Sequence, residues 1–132
     1  MNFDTRTPLP ITASLLLDVF DSPVSFHRCL VPITGGVTAA LMLSQAIWVS
    51  QMIEPEAKGW FVKSQDNWTE DTGLSRWEQQ TARRTLRDAG FIEERRVGMP
   101  AKLYYRVRSE QVLHALRAHA GAIHGEPPEE RA

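Results

Sequence analysis

The clearest hydrophobic pattern in this chain lies between residues 73 and 92. Ala82, Leu86 and Ala89 recur at the spacing of one side of an α-helix, and Leu74 and Phe91 flank that run at its two ends. The opposite side of the same predicted helix carries four arginines and a glutamine, namely Arg76, Gln80, Arg83, Arg84 and Arg87. The pattern therefore predicts a helix that packs on a core through one face and presents basic side chains on the other.

Start and stop signals delimit this helix and a shorter one before it. Ser75 with Glu78 three residues later is typical of a capping box, and Gly90 can adopt the left-handed conformation that closes a helix. Upstream, Ser64 can cap a short helix that ends at Gly73. A short helix, a turn containing glycine and a longer basic helix together predict a helix-turn-helix over residues 64–90.

Short β-type runs surround this unit on both sides. Residues 60–63 suit a strand, and residues 91–97 and 102–107 suit two more strands joined by the turn residues 98–101. The last pair predicts a hairpin that forms a wing over residues 91–108. Three basic residues lie near its tip and could reach a phosphate or the minor groove, namely Arg95, Arg96 and Lys102. Alternatively, they only solubilise an exposed hairpin.

The region before residue 58 contains a long uncharged run. Residues 34–53 carry no charged side chain and predict a central buried helix, with Val37 and Trp48 among the residues of its core-facing side. A membrane span is the alternative, but polar side chains are scattered along the run and no basic cluster flanks it.

Weaker patterns cover the rest of the chain. Residues 11–20 suit a helix, residues 24–31 alternate like a strand that could join the wing sheet, and residues 110–120 suit a last helix capped by Ser109. We therefore expect one domain over residues 1–120, mainly α-helical with a small antiparallel β-wing. From residue 121 to residue 132 the composition is small, acidic and proline-bearing, which predicts a disordered tail.

The motif residues also resemble a known family. Those that carry the resemblance are the apolar helix 39–48, Gly59–Ser64, Leu74–Gln79, Ala82–Leu86, Gly90–Ile92 and Gly98–Tyr105. Residues 58–108 resemble a winged helix-turn-helix domain. Residues 34–108 are similar, more narrowly, to the N-terminal winged-helix domains of phage and plasmid replication proteins, including the DnaD-like and replication-protein-O-like groups. The resemblance implies binding of duplex DNA, with the second helix of the motif in the major groove.

The distribution of charge limits how such a domain could bind. The chain has 15 basic and 16 acidic residues and a net charge of −1, unlike a nonspecific nucleic-acid coat. Residues 58–108, however, hold eleven lysines and arginines against seven acidic residues. This asymmetry favours one focused basic surface on an otherwise acidic chain. It would also suit a domain that binds an acidic protein.

The sequence contains little that indicates catalysis. A single cysteine, Cys29, excludes an intrachain disulfide framework and suits a reducing cytosol, and no secretory signal is evident. His27 and Cys29 would share one side of a strand, which is a weak metal signal beside the ordinary interpretation of a buried cysteine and a satisfied histidine. We find no phosphate loop, nucleophile elbow or paired carboxylates. We therefore expect a cytoplasmic, non-enzymatic protein without cofactor or metal.

These observations lead to specific expectations for DNA binding. Arg76, Gln80, Arg83 and Arg87 are predicted to enter the major groove, because arginine and glutamine can pair with base edges through two hydrogen bonds. The residues predicted to hold phosphates are Lys63, Arg84, Arg95, Arg96 and Lys102, together with Ser75 at the helix N-terminus. Trp77 could pack under the turn or lie along the sugar-phosphate edge.

Three questions about function stay open at this point, namely the cellular role, the oligomeric state and the class of binding partner. The chain could be a transcriptional regulator or a replication accessory factor. A homodimer is expected, because two such domains would read a half-site repeat. The alternative from another class is a winged-helix module that binds protein, for instance a phage-encoded inhibitor docking on a host nucleoprotein complex. The near-neutral total charge and Trp77 leave room for that alternative.

Overall fold

The computed structural model describes residues 11–124 of the chain. Within that range the protein has six α-helices, one short 3₁₀-helix and three strands. The helices are α1 (Ala13–Val19), α2 (Leu30–Thr34), α3 (Val37–Ser50), α4 (Gln65–Thr72), α5 (Arg76–Asp88) and α6 (Ser109–His124), and Pro55–Ala57 form the 3₁₀ turn. The strands are β1 (Trp60–Val62), β2 (Ile92–Val97) and β3 (Lys102–Val107). The fold is therefore mainly helical with a small sheet, as predicted.

The boundaries of α4 and α5 follow the capping signals in the sequence. The Ser64 hydroxyl accepts from the Asn67 N–H at 3.1 Å, and the Ser75 hydroxyl accepts from the Glu78 N–H at the same distance. Gly73 ends α4 with φ +78°. A side chain there would strain a backbone conformation that glycine adopts freely, so the turn into α5 can be short. The predicted capping of both helices is confirmed.

The three strands form one antiparallel sheet in the order β1-β3-β2. Phe61 of β1 and Glu94 of β2 both lie opposite Tyr105 of the central strand. Because side chains alternate along a strand, Tyr105 faces the helices and its neighbours Tyr104 and Arg106 face the other way. The predicted strand at residues 60–63 thus becomes the third strand of the hairpin's sheet.

The core is built around α3, which contacts α2, α4, α5 and two of the strands. Ala40, Met42 and Leu43 are almost completely buried. The buried Trp68 ring packs edge-on against the Tyr105 ring, with 5.5 Å between the two ring centres. The predicted core-facing side of α3 was partly wrong, because Val37 and Trp48 are exposed. A helix that is apolar on nearly all sides does not reveal from its spacing alone which side will be covered. No helix within residues 11–124 is long and apolar enough to cross a membrane.

The prediction of a strand at residues 24–31 was wrong. Residues 20–28 have no regular structure, and α2 begins at Leu30. Leu30 and Thr34, one helical turn apart, are both buried, and Pro32 is tolerated because its missing N–H falls in the first turn. The His27 N–H donates to the Ser44 hydroxyl of α3 at 3.0 Å. Residues 24–31 therefore pack against α3 and do not join the sheet. The position beside β3 in the sheet is already occupied by β1.

The last helix is longer than predicted. It begins at Ser109 itself and continues through His124, four residues into the segment expected to be a disordered tail. Of the four additional residues, Ala122 favours the helix because alanine has the highest helix propensity, whereas Gly121 disfavours it. The remaining part of the predicted tail, residues 125–132, and the start of the predicted domain, residues 1–10, lie outside the described residues.

Candidate nucleic-acid interface

The two sides of α5 have different surroundings. Gln79, Ala82 and Leu86 are buried against α3, α4 and the sheet. The other side of the helix is turned to solvent, where Gln80 and Arg84 are exposed. The sequence pattern therefore predicted the orientation of this helix through Ala82 and Leu86, and the predicted basic face exists along its outer side. The third residue of the predicted buried side, Ala89, is exposed because it lies at the C-cap, where the helix ends.

Gln79 holds α4, the turn and α5 together, and the sequence pattern did not identify this residue. Its side-chain amide donates to the backbone carbonyls of Gln65 and Leu74 at 3.1 and 3.0 Å and to the Thr69 hydroxyl at 2.9 Å. Such a buried amide fixes the geometry between the helices because each contact needs a defined position. One signal was available, since Gln79 precedes Ala82 and Leu86 at the i, i+3, i+7 spacing of the buried side.

Arg83 does not share the exposed side of the helix. Its Nη2 lies 2.6 Å from Glu94 Oε2 on β2, and the arginine side chain is only 14% exposed. Its guanidinium carbon lies 5.9 Å from the centre of the Tyr105 ring. Burial alone would lower the pKa of Arg83, but the hydrogen bond to Glu94 and the nearby charges raise it above its ordinary value. In this structure Arg83 joins α5 to the hairpin.

Arg87 is intermediate between Arg83, which is tightly paired, and the arginines that have no close carboxylate. Its Nη1 is 3.6 Å from Glu94 Oε1, while Nε is 3.8 Å from Asp88 Oδ1, and half of the side chain is exposed. These distances describe loose ion pairs, which contribute little when they are accessible to water. Arg87 could therefore leave Glu94 for a ligand while Arg83 keeps its short contact.

The outer side of α5 carries Arg76, Gln80, Arg84 and Trp77. Arg76 is 73% exposed and has only a 3.9 Å approach to Asp66, which is also exposed. Arg84 makes no side-chain hydrogen bond or salt bridge with any described residue. The Trp77 ring does not pack under the turn, because the residue is 72% exposed. These four side chains form a continuous surface that we call the outer face.

Lys63 is less available for a phosphate contact than the sequence suggested. Its ammonium contacts the Asp71 carboxylate and lies 5.2 Å from the centre of the Trp68 ring, and its side chain is 9% exposed.

The N-terminus of α5 is occupied by the carboxylate of Glu78. The Ser75 N–H donates to Glu78 Oε1 at 2.9 Å, and this backbone hydrogen bond, followed by that of the Ser75 hydroxyl, lowers the pKa of Glu78. A carboxylate thus already lies at the helix N-terminus that was expected to meet a phosphate.

The basic residues of the hairpin point to both of its faces. Arg95 faces away from the helices and stacks on Trp60, with 4.3 Å from its guanidinium carbon to the ring centre. Arg96, one residue later, faces the opposite way. Together with Lys102 and Arg83 it borders a groove of about 440 Å³ between the hairpin and the start of α4. Neither Arg96 nor Lys102 has a carboxylate partner within residues 11–124.

The sequence offered one weak candidate for a metal site. The described residues contain no group of three or more histidine, cysteine or acidic side chains that could hold a metal ion. His27 and Cys29, the weak metal candidate, are exposed and do not lie on a strand. Burial raises the pKa of the Tyr105 phenol, and the nearby charge of Arg83 opposes this shift.

Comparison with known proteins adds no relative at this point. No protein-family model matches the sequence, and neither a curated protein nor a solved structure does so. The arguments about function therefore rest on the geometry and charge of the molecule itself.

Proposed function

We propose that this protein is a winged helix-turn-helix protein that binds double-stranded DNA in a sequence-specific way. Helix α5 would enter the major groove, the β2–β3 hairpin would serve as the wing, and the role would be that of a transcriptional regulator or a replication accessory factor without enzymatic activity. The observation that carries the proposal is the outer face of α5, where Arg76, Gln80 and Arg84 are exposed on a helix whose other side is buried.

The supporting geometry is the rigid mounting of that helix. Gln79 fastens α5 to α4, and the Arg83–Glu94 pair fastens it to the hairpin. A reading element must be held in one orientation, because a bidentate contact between a side chain and a base edge tolerates little displacement. The two attachments would therefore place the outer face and the hairpin against one DNA duplex together.

The structure suggests a division of roles that differs from the sequence-based one. Arg76, Gln80 and Arg87 would meet base edges. The residues that would hold phosphates are Arg84, Arg95, Arg96 and Lys102. Lys63, Ser75 and Arg83, which were predicted to contact DNA directly, would act instead by positioning, because each is engaged within the protein.

The test is selection of duplexes from a random pool by the full chain, followed by anisotropy titrations at two salt concentrations. We expect one motif to be enriched, with an affinity that falls steeply as salt rises. Arg76→Ala/Gln80→Ala should weaken binding of the selected duplex by at least about 30-fold, since two bidentate base contacts of roughly 1–3 kcal/mol each contribute about 2 kcal/mol or more together. Thermal unfolding should be unchanged, because both side chains are exposed.

The matched control is Arg117→Ala, which removes an exposed arginine from α6, the helix that packs on α2. It should bind the selected duplex like the parent. If no motif is enriched, or if the control and the α5 variant weaken binding equally, the proposal of a sequence reader is wrong.

Trp77 favours one second candidate, a winged-helix module that binds protein. A large aromatic side chain that is 72% exposed is unusual on a surface, and such residues are enriched where proteins bind each other. A protein partner held through Trp77 would bind with weak salt dependence and would be lost in Trp77→Ala. Duplex binding that is weak and independent of sequence, combined with that result, would favour this candidate.

A further inference from the structure

A groove opens where strand β1 ends beside the tip of the β2–β3 hairpin. The pairing of β1 with β3 stops at Val62 and Tyr104, and from there the chain turns into α4. The tip end of β3, Lys102 and Leu103, therefore has β2 on one side and no strand of the described chain on the other. The space between the hairpin and the start of α4 measures about 440 Å³, and we call it the hairpin groove.

The charged residues that line the hairpin groove are all basic. They are Lys63, Arg83, Arg96 and Lys102, and none of the described residues that line the groove is acidic. The nearest carboxylates are engaged elsewhere. Asp71 contacts the Lys63 ammonium, and Glu94 Oε2 lies 2.6 Å from Arg83 Nη2. Asp66, at the start of α4, is 91% exposed and approaches Arg76 of α5 at 3.9 Å.

Two of these four positive charges are left without compensation. The ion pairs neutralise Lys63 and Arg83 and hold their side chains in place, whereas Arg96 and Lys102 are exposed and have no carboxylate partner within residues 11–124. A phosphate monoester carries a charge of about −1.5 to −2 at neutral pH and offers three acceptor oxygens. Its charge therefore matches the two free cations, and guanidinium and ammonium groups are the usual donors to such oxygens.

The size and the apolar lining of the groove favour a small organic molecule over a phosphate ion alone. Its volume lies within the roughly 300–1,000 Å³ that is usual for small-molecule sites. Val62, Ala101 and Leu103 also line it and give it an apolar portion beside the two free cations. A phosphate of a DNA backbone would meet the cations and leave this apolar portion uncovered, because the rest of the duplex is too wide to enter.

We propose that the hairpin groove binds a small organic phosphate monoester and that this ligand regulates DNA binding. The phosphoryl group would lie between Arg96 and Lys102, and the organic portion would pack on Val62 and Leu103. The same two cations are assigned above to DNA phosphates, so ligand and duplex would compete for them. The ligand would then act as an effector that releases the protein from DNA. This regulatory step rests on the proposed function, whereas binding of the phosphate monoester does not.

An NMR titration of the ¹⁵N-labelled full chain tests the site without DNA. The two probes are phenyl phosphate and inorganic phosphate, each added at constant ionic strength. We expect saturable shifts of the backbone amides of Asn67 and Leu103, which line opposite sides of the groove. Phenyl phosphate should bind at least about 10-fold more tightly than inorganic phosphate, because its ring is removed from water against the apolar lining.

Two variants of the hairpin locate the bound phosphate. Arg96→Ala/Lys102→Ala should weaken phenyl phosphate binding by at least about 10-fold and keep its fold, because both side chains are exposed. The matched control is Arg95→Ala, which removes the adjacent arginine from the opposite face of β2 and should bind like the parent. Absence of saturable binding by either probe, or equal losses in the two variants, would overturn the proposal. If the double variant loses duplex binding while the parent binds neither probe, the two cations serve the DNA backbone alone and the proposal is likewise overturned.

A competition titration tests the regulatory step. Saturating phenyl phosphate, at constant ionic strength, should weaken binding of the selected duplex by about 10-fold in the parent and leave Arg96→Ala/Lys102→Ala unaffected, because two phosphate contacts are blocked. An unchanged duplex affinity in the parent would overturn the effector role. The two proposals fail separately. A chain that binds phenyl phosphate and no duplex would contradict the proposed function, whereas one that binds duplex and no phenyl phosphate would contradict the site in the hairpin groove.

Discussion

Two sides of helix α5 carry the same type of residue and have opposite physical roles. On the side toward the hairpin, Arg83 is almost covered and lies 2.6 Å from Glu94. On the outer face, Arg76 and Arg84 are in water without a close carboxylate. A paired, desolvated arginine cannot be removed without leaving a buried carboxylate poorly compensated, whereas a solvated one leaves its hydrogen-bond donors available for a ligand. The difference shows that the number of arginines on a helix overstates how many of them are free to bind a ligand.

Removing Arg83 is the substitution with the largest expected effect on stability. Arg83→Met should lower the free energy of unfolding by about 3 kcal/mol, because Glu94 would remain almost buried with only the loose contact to Arg87. Arg83→Met/Glu94→Leu should recover most of this loss, since neither charge is then left alone. Urea unfolding monitored by tryptophan fluorescence measures both.

The outcome that would contradict the comparison is a stable Arg83→Met protein that fails to bind DNA. That result would place Arg83 on the reading surface after all. As a matched variant on the outer face, Arg84→Met should leave the urea midpoint unchanged, because its guanidinium has no partner among the described residues.

A smaller loss is expected when Gln79 is replaced. Gln79→Leu should lower the free energy of unfolding by about 2 kcal/mol, because the side-chain amide no longer satisfies the backbone carbonyls of Gln65 and Leu74. DNA affinity should fall as well, since α5 would lose its fixed angle to α4. Gln80→Leu is the adjacent control and should leave stability unchanged while altering only DNA binding. Equal loss of stability in the two variants would contradict the assignment of buried and exposed sides.

The smallest effect concerns the pH dependence of the cap at the start of α5. The Ser75 hydrogen bonds lower the pKa of Glu78 below its ordinary value of 4.5. A depressed carboxyl pKa contributes stability above the unfolded value, and that stability is lost as pH falls through the folded value. Between about pH 5 and pH 3 the parent should therefore lose more stability than Glu78→Gln. Parallel pH profiles of the two proteins in thermal unfolding would show that the carboxylate is not held by Ser75.

Much of the architecture could be predicted from local signals. Both helix caps, the Gly73 stop, the two hairpin strands and the basic side of α5 all depend on neighbours within a few residues, so they are visible in sequence. The strand expected at residues 24–31 and the early end of α6 were wrong for different reasons. The alternation at residues 24–31 was weak, and packing of α2 against α3 decided the structure there, whereas α6 continues through Gly121 although composition predicted a tail.

The candidate site was predicted only in outline. That α5 carries arginines opposite an apolar stripe is a property of its periodicity. That Arg83 pairs with Glu94 and Lys63 with Asp71 depends on which segments become neighbours in space. Arg83 and Arg84 are adjacent in sequence, and no spacing rule separates a residue on the edge of the buried side from one on the outer face.

The sequence by itself determined where the helices and strands of the central unit begin and end, because capping, glycine conformation and hydrophobic period act over short distances. Only the tertiary structure decided which charges are free, which side of α3 is covered and that the apolar helix α1 remains uncovered. These outcomes depend on solvent exclusion between segments that are distant in the chain, and that quantity exists only once the chain has folded.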